Sequence, residues 1–203
     1  MTGIDRRGLI LSALGGAVAA PALAQDSLPP IAVRRSEISV SRSLPVARPD
    51  LPVPADPGML VYIQQAIDKN VLVYLAKQGP DGKLDPRNPV EVFWRRYNDA
   101  DGARRPLSFF ERVFAFGVST QRVADGRYSA RLASYRDRDA VVEIGEDGKP
   151  RAVMKIGQRT VRIVYAYAMA ERGRFIPKVH YVDIHGFDIA SGEAVRERIR
   201  LDM

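Results

Sequence analysis

The 203-residue chain holds two histidines, His180 and His185, and no cysteine. Both histidines lie in an alternating, strand-like run at residues 178–189, which also carries Tyr181 and Asp183. Alternate side chains of a strand point to opposite faces, so residues five apart face away from each other. A two-histidine metal site here would need a bulge between them. Tyr181, Asp183 and His185 do share a face. A carboxylate beside an imidazole can orient a ligand or act as a weak acid–base pair. The same trio also reads as a satisfied polar pair at a sheet end. Trp94, Tyr165 and Tyr167 are the aromatic counterparts, either as core anchors or as the wall of a ligand site.

Other chemistry is sparse. Without cysteine there is no disulfide, no thiolate nucleophile, no iron–sulfur cluster, no cysteine zinc site and no lipid-modified cysteine. Ser119 follows Gly117-Val118 but lacks the G-x-S-x-G elbow. The sequence contains no P-loop, dinucleotide fingerprint or H-E-x-x-H motif. No cofactor is named by any motif. Asp81-Gly82-Lys83 and Asp147-Gly148-Lys149 read as hairpin turns rather than calcium loops. Glu197 falls on the apolar face of the run 194–201. Buried there, it requires a partner such as an arginine. Arg196, Arg198 and Arg200 form the opposite stripe, read as a solvated outer face.

The elements that must position these residues are mainly strands. Residues 70–76 are apolar on both faces, as in a strand buried on both sides. After the Asp81-Gly82 turn, Pro86 and Pro89 hold an extended link, and residues 90–97 form an aromatic strand containing Trp94. Further strands are expected at 60–65, 127–135, 140–146, 151–156, 160–170, 178–189 and 194–201. In the run 160–170, Val161, Ile163, Tyr165, Tyr167 and Met169 line one face, with Arg162, Val164, Ala166 and Ala168 on the other. One helix is expected to open at Pro106 or Leu107. Ser108 and Glu111 form its capping box, and Gly117 ends it. Leu107, Phe110, Val113 and Phe114 recur at helical spacing, predicting a face packed on the sheet and extended by Phe109 and Phe116.

The chain divides into three parts. Residues 1–24 read as an export signal: Arg6-Arg7, an apolar run at 8–20, and the small-residue cleavage pattern Ala22-Leu23-Ala24. The run is shorter than the ~20 residues a membrane span needs. The paired arginines resemble a twin-arginine translocation signal, with Asp5 and Leu9 departing from its usual pattern. The partners this implies are the twin-arginine machinery and a signal peptidase cutting after Ala24, which would leave the protein periplasmic or secreted. Residues 25–58 are a Pro-rich, basic linker, with a short edge strand at 37–41. Residues 59–203 form one β-rich domain. The net charge of +7 is spread among 24 acidic residues. That scatter argues against a nucleic-acid footprint and leaves an anionic envelope surface as the candidate charged partner.

Asp68-Lys69-Asn70-Val71, Tyr74, Asp81-Gly82-Lys83-Leu84, Asn88-Pro89-Val90 and Trp94 together resemble a family of secreted bacterial domains, domain of unknown function 4833. Leu107 to Arg112, Phe116-Gly117-Val118, His185-Gly186-Phe187-Asp188 and Ser191-Gly192 extend the resemblance over about residues 59–201. It implies a fold and an exported location, and it lends no catalytic residues.

The fold expected is mainly β: an antiparallel meander of about eight or nine strands, closed into a barrel or nearly so, with one packed helix. A β-sandwich is the alternative. Three functions fit. One is an exported module holding a small, partly apolar ligand between Trp94, Tyr165 and Tyr167, with Tyr181, Asp183 and His185 as its polar groups. The second is a structural or envelope-interaction domain. The third is a hydrolase-type enzyme using Asp183 and His185, for which no catalytic motif is present.

Overall fold

The structure, a computed structural model, describes residues 32–44, 48, 50–172 and 177–202. Its organising strand, β10 (Arg159–Glu171), has three partners. Along one edge its first half pairs antiparallel with β9 (Pro150–Ile156), and its second half pairs parallel with β2 (Met59–Gln65). Its other edge carries β11 (Lys178–Asp188), then β12 (Ala194–Asp202), then β1 (Ala32–Ser41), all antiparallel.

From β2, hairpins continue outward through β3 (Asp68–Ala76), β4 (Val90–Arg96) and β5 (Ala103–Pro106). From β9, a second meander runs back through β8 (Ala140–Ile144), β7 (Arg127–Leu132) and β6 (Val118–Ala124). The chain is therefore mainly β, but the pairing is mixed and the sheet curls into an open half-barrel. The closed or nearly closed antiparallel barrel expected from the sequence is met in part: the sheet curls but stays open, and its pairing is mixed. Two strands share one edge of β10, so the sheet forks there, and β5, β6 and β1 remain as edges. Arg104, Arg105 and Pro106 blunt the β5 edge; charge and proline both discourage edge-to-edge pairing.

The fork coincides with a bulge. The β10–β11 register slips by one residue between Ile163 and Tyr165. A one-residue slip sends every later side chain to the other face. Val161 and Ile163 consequently pack with Ile156, Ile184, Val195 and Ile199, whereas Tyr165 joins Tyr62, Val71, Val73 and Phe93. The single five-residue face expected from Val161 to Met169 is thus split at Val164. Gly186 sits beside the slip: a Cβ there would lie 2.2 Å from the Arg162 carbonyl oxygen, so only glycine allows this approach.

The two wings face each other across the inside of the curl. Leu60, Leu72, Tyr74 and Trp94 of one wing pack with Tyr128, Val142 and Ala152 of the other. Val71 and Val73 occupy the opposite face of β3, so that strand is buried on both sides, as its composition predicts. The turn residues Gly82 and Gly148 take φ of 75° and 73°, as the two Asp-Gly signals require.

The expected helix is a short π-helical turn, Glu111–Ala115, with no buried residue. Its capping contacts form: the Ser108 amide donates to the Glu111 carboxylate (2.7 Å), and the Glu111 amide donates to the Ser108 hydroxyl (3.3 Å). Leu107 and Phe116 pack on the inner core, but Phe109, Phe110, Val113 and Phe114 face outward. The packed helical face expected there is corrected. Backbone bonds from Ala133 to Gly117 and from Ser134 to Ala115 hold the turn against the β7 end, leaving its aromatic side in solvent.

Glu197, read as a buried carboxylate in need of an arginine, has one. It is 2% exposed, and Arg138 donates to both its oxygens at 2.7 and 2.8 Å, with the Ser36 hydroxyl as a third donor. Removing one partner from such a pair strands the other charge in the interior. Arg138→Met is therefore expected to lower stability by about 3–5 kcal/mol, read as a shift of the urea midpoint. The double variant Arg138→Met, Glu197→Met should recover most of that loss; an equal loss in the double variant would refute the ion-pair account.

Candidate functional site

The bulge places a polar and aromatic ladder on one face of β2, β10, β11 and β12. One rung reads Tyr62, Tyr165, His185, Arg196; the next reads Gln64, Tyr167, Asp183, Arg198; the third reads Met169, Tyr181, Arg200. Tyr165 stacks on His185 with centroids 4.3 Å apart and on Tyr62 at 5.4 Å. The structure thus brings together five of the residues singled out in the sequence: Tyr165, Tyr167, Tyr181, Asp183 and His185. Trp94 is not among them. It lies on the inner face, where it packs edge-on against Phe116 at 5.2 Å and donates its indole N–H to Glu111 at 3.0 Å.

The arginine stripe is only partly the solvated face expected of it. Arg198 donates through two nitrogens to the two Asp183 oxygens at 2.8 and 2.7 Å, and its guanidinium lies 3.9 Å from the centre of the Tyr181 ring. Its hydrogen bond to the carboxylate raises the Arg198 guanidinium further above its ordinary value. Arg200 pairs with Glu37 at the exposed edge. Nothing in local spacing separates Arg198 from Arg200. The difference comes from Asp183, which reaches Arg198 only through strand pairing.

Burial lowers the His185 imidazole to about 4; Asp183 opposes the shift, and Arg196 and Arg198 reinforce it. The ring is therefore neutral at neutral pH. Burial likewise raises the Tyr165 phenol to about 12. Three buried polar atoms on this face have no hydrogen-bond partner among the described residues: His185 Nδ1, Gln64 Oε1 and Arg196 Nε. Buried waters bond to otherwise-unsatisfied polar groups of this kind.

The chain preceding β2 crosses this face. Leu44 packs against its aromatic cluster, the Gln64 amide donates to the Pro52 carbonyl (2.8 Å), and Arg48 reaches the Tyr167 hydroxyl (3.5 Å). The segment expected as a linker thus supplies both β1 and part of this cover, and its strand runs from Ala32 rather than Glu37.

This arrangement does not favour acid–base chemistry. Both Asp183 oxygens are taken by Arg198, and His185 is buried on a tyrosine. His180 stands apart at the surface, 3.4 Å from Glu171. The signal residues Arg6, Arg7, Ala22 and Ala24 lie outside the described residues.

A different surface feature carries more unspent chemistry. Phe109 and Phe110 are 71% and 72% exposed, with Phe114 stacked on Phe110 at 6.1 Å. Beside them opens a shallow cleft lined by Arg112, Ser119, Arg131 and Arg136. Arg131 is paired with Asp139, but Arg112 and Arg136 have no carboxylate partner among the described residues. Sequence reasoning missed this site because the aromatic spacing looked like a core stripe.

The model of the domain of unknown function DUF4833 matches residues 61–198. The chain belongs to this family. The DUF4833 match runs from β2 into β12 and takes in the ladder, the Glu197–Arg138 pair and the aromatic turn, while β1 precedes it. No curated protein and no solved structure matches the chain.

The ladder of this DUF4833 domain has a definite pH signature. An unfolded imidazole protonates near its ordinary value of 6.5, whereas folded His185 resists until about 4. Stability from burying the neutral ring is complete above about pH 6.5 and drains away as pH falls toward about 4. Allowing for solvent near the ring, the loss is on the order of 2 kcal/mol. His185→Phe should flatten the stability profile in that window, measured by urea unfolding across pH. An unchanged slope relative to the parent would sink this assignment.

Proposed function

We propose that this chain is an exported envelope protein whose domain docks on an anionic envelope surface. The observation that carries the reading is the exposed pair Phe109 and Phe110 beside the unpaired Arg112 and Arg136. The net charge of +7 and the basic stretch containing Arg34, Arg35, Arg42 and Arg48 agree with an anionic partner. The Arg6-Arg7 leader with its Ala22-Leu23-Ala24 motif supports twin-arginine export and a periplasmic or secreted destination. Of Asp183 and His185, the best catalytic pair in the sequence, Asp183 has both carboxylate oxygens bound by Arg198, and His185 is buried against Tyr165.

A second reading, a small-ligand binding module, is favoured by one observation: the three unpartnered atoms on Gln64, His185 and Arg196. A polar ligand or bound water at the neighbouring His185 and Arg196 would meet two of these needs.

One preparation tests both. The protein is recovered from the exported fraction of a bacterial host, fractionated at low and high salt, and weighed by native mass spectrometry. Docking predicts that it travels with the membrane fraction at low ionic strength and is released at about 1 M salt, where charge attraction is screened beyond ~3 Å. Recovery wholly in the soluble fraction at low salt would overturn it. A bound mass lost on denaturation would establish the ligand reading, and a bare-chain mass would end it.

A further inference from the structure

Resting on the docking reading above, we infer that the turn at residues 108–117 is a membrane-interface wedge: Phe109, Phe110 and Phe114 enter the headgroup region of an anionic lipid bilayer while Arg112 and Arg136 engage its phosphates. Contiguous exposed aromatics on a folded domain mark contact surfaces. Here the exposure is built in. Arg112 N donates to Ser108 O (3.0 Å), Phe116 N to Glu111 O (2.7 Å), Ala133 N to Gly117 O (2.9 Å) and Ser134 N to Ala115 O (3.2 Å). The Glu111 carboxylate ties the turn to Trp94 and to the Ser108 amide. Gly117 passes so close to the Arg112 carbonyl that an added Cβ would sit 1.9 Å from its oxygen. The backbone is held from several sides, so the rings stay outside.

Size and charge decide the occupant. A stable protein partner takes roughly 800 Å² per side from 20–30 residues. This patch offers three phenylalanines and Val113, at the apex of one turn. A bilayer interface needs only a few apolar rings at headgroup depth with cations beside them. The charges fit that arrangement. Arg112 and Arg136 line the cleft that Val113 of the same turn borders, with no carboxylate partner among the described residues, Arg105 acts on the turn's Glu111, and Glu111 itself is turned inward to Trp94. Among the described residues no helix is long and apolar enough to cross a membrane; a wedge requires none.

The test uses the exported protein and sedimentation with unilamellar vesicles of phosphatidylcholine, with or without about 30 mol% phosphatidylglycerol as the anionic lipid. The parent should bind the anionic vesicles at least about tenfold more tightly than the neutral ones, because each cation near such a surface adds attraction. The variant Phe109→Ser, Phe110→Ser should lose about tenfold or more on anionic vesicles. The variant Arg112→Gln, Arg136→Gln should weaken binding and reduce its salt dependence. A thermal melt of each variant checks folding, and the parent's lipid dependence decides the matter if a variant fails to fold. Equal binding by parent and phenylalanine variant overturns the inference, as does a parent that ignores anionic lipid. Salt-releasable envelope association without vesicle binding also overturns it, pointing to a protein or polymer partner and leaving the docking reading intact.

Discussion

The one-residue slip at Val164 is the constraint on which the rest depends. A thirteen-residue strand that stayed regular would have presented one uninterrupted face. With the slip, the first half of β10 presents Val161 and Ile163 to the aliphatic core beside β9, and the second half presents Tyr165 and Tyr167 to the polar ladder. The same irregularity marks where β9 leaves the edge of β10 and β2 takes it over. The open curl, the two wings and the two kinds of core all follow from that change of partner.

Charge is spent inside this basic protein in a specific way. Asp183 and Glu197 project from neighbouring strands to opposite faces, and each is met by a guanidinium through two hydrogen bonds. A carboxylate in the interior is tolerable only when its lone pairs are met, and the planar arginine fork meets two at once. These pairs tie β12 to the 133–139 loop on one side and to β11 on the other. Their closure commits both Asp183 oxygens to Arg198. What remains unsatisfied among the described buried side chains is an imidazole nitrogen, an amide oxygen and one N–H of the Arg196 guanidinium.

The surface tells the opposite story. Around the turn at residues 108–117, the exposed rings of Phe109, Phe110 and Phe114 join no buried core cluster, and Arg112 and Arg136 meet no carboxylate among the described residues. Leu107 and Phe116 satisfy the inner core on either side of the turn, and once Trp94 and Phe116 meet edge-on that core is filled. The four large apolar residues between them, Phe109, Phe110, Val113 and Phe114, are surplus to the interior. The inward use of Glu111 removes the acid that would otherwise offset the neighbouring arginines.

Much of the local structure was legible in residue order. The Asp-Gly hairpins, the two-sided burial of β3, the Ser108–Glu111 capping contacts and the need of Glu197 for a partner depend on neighbours a few residues away or on the polarity of a single strand. The separation of His180 from His185 belongs to the same class. Of the candidate site, the shared face of Tyr181, Asp183 and His185 was readable from alternation alone. The sequence by itself therefore determined most of the strands and the turns between them, though not β5, β6 or the short π-helical turn, because propensity and period act over short range. Only the tertiary structure decided that Arg198 and not Arg200 meets Asp183, that Trp94 and Tyr165 occupy different faces, that the barrel stays open, and that Phe109 and Phe110 point outward. Each of those outcomes rests on a strand partner or a filled core distant in the chain, and a single register slip inverts the facing that periodicity predicts.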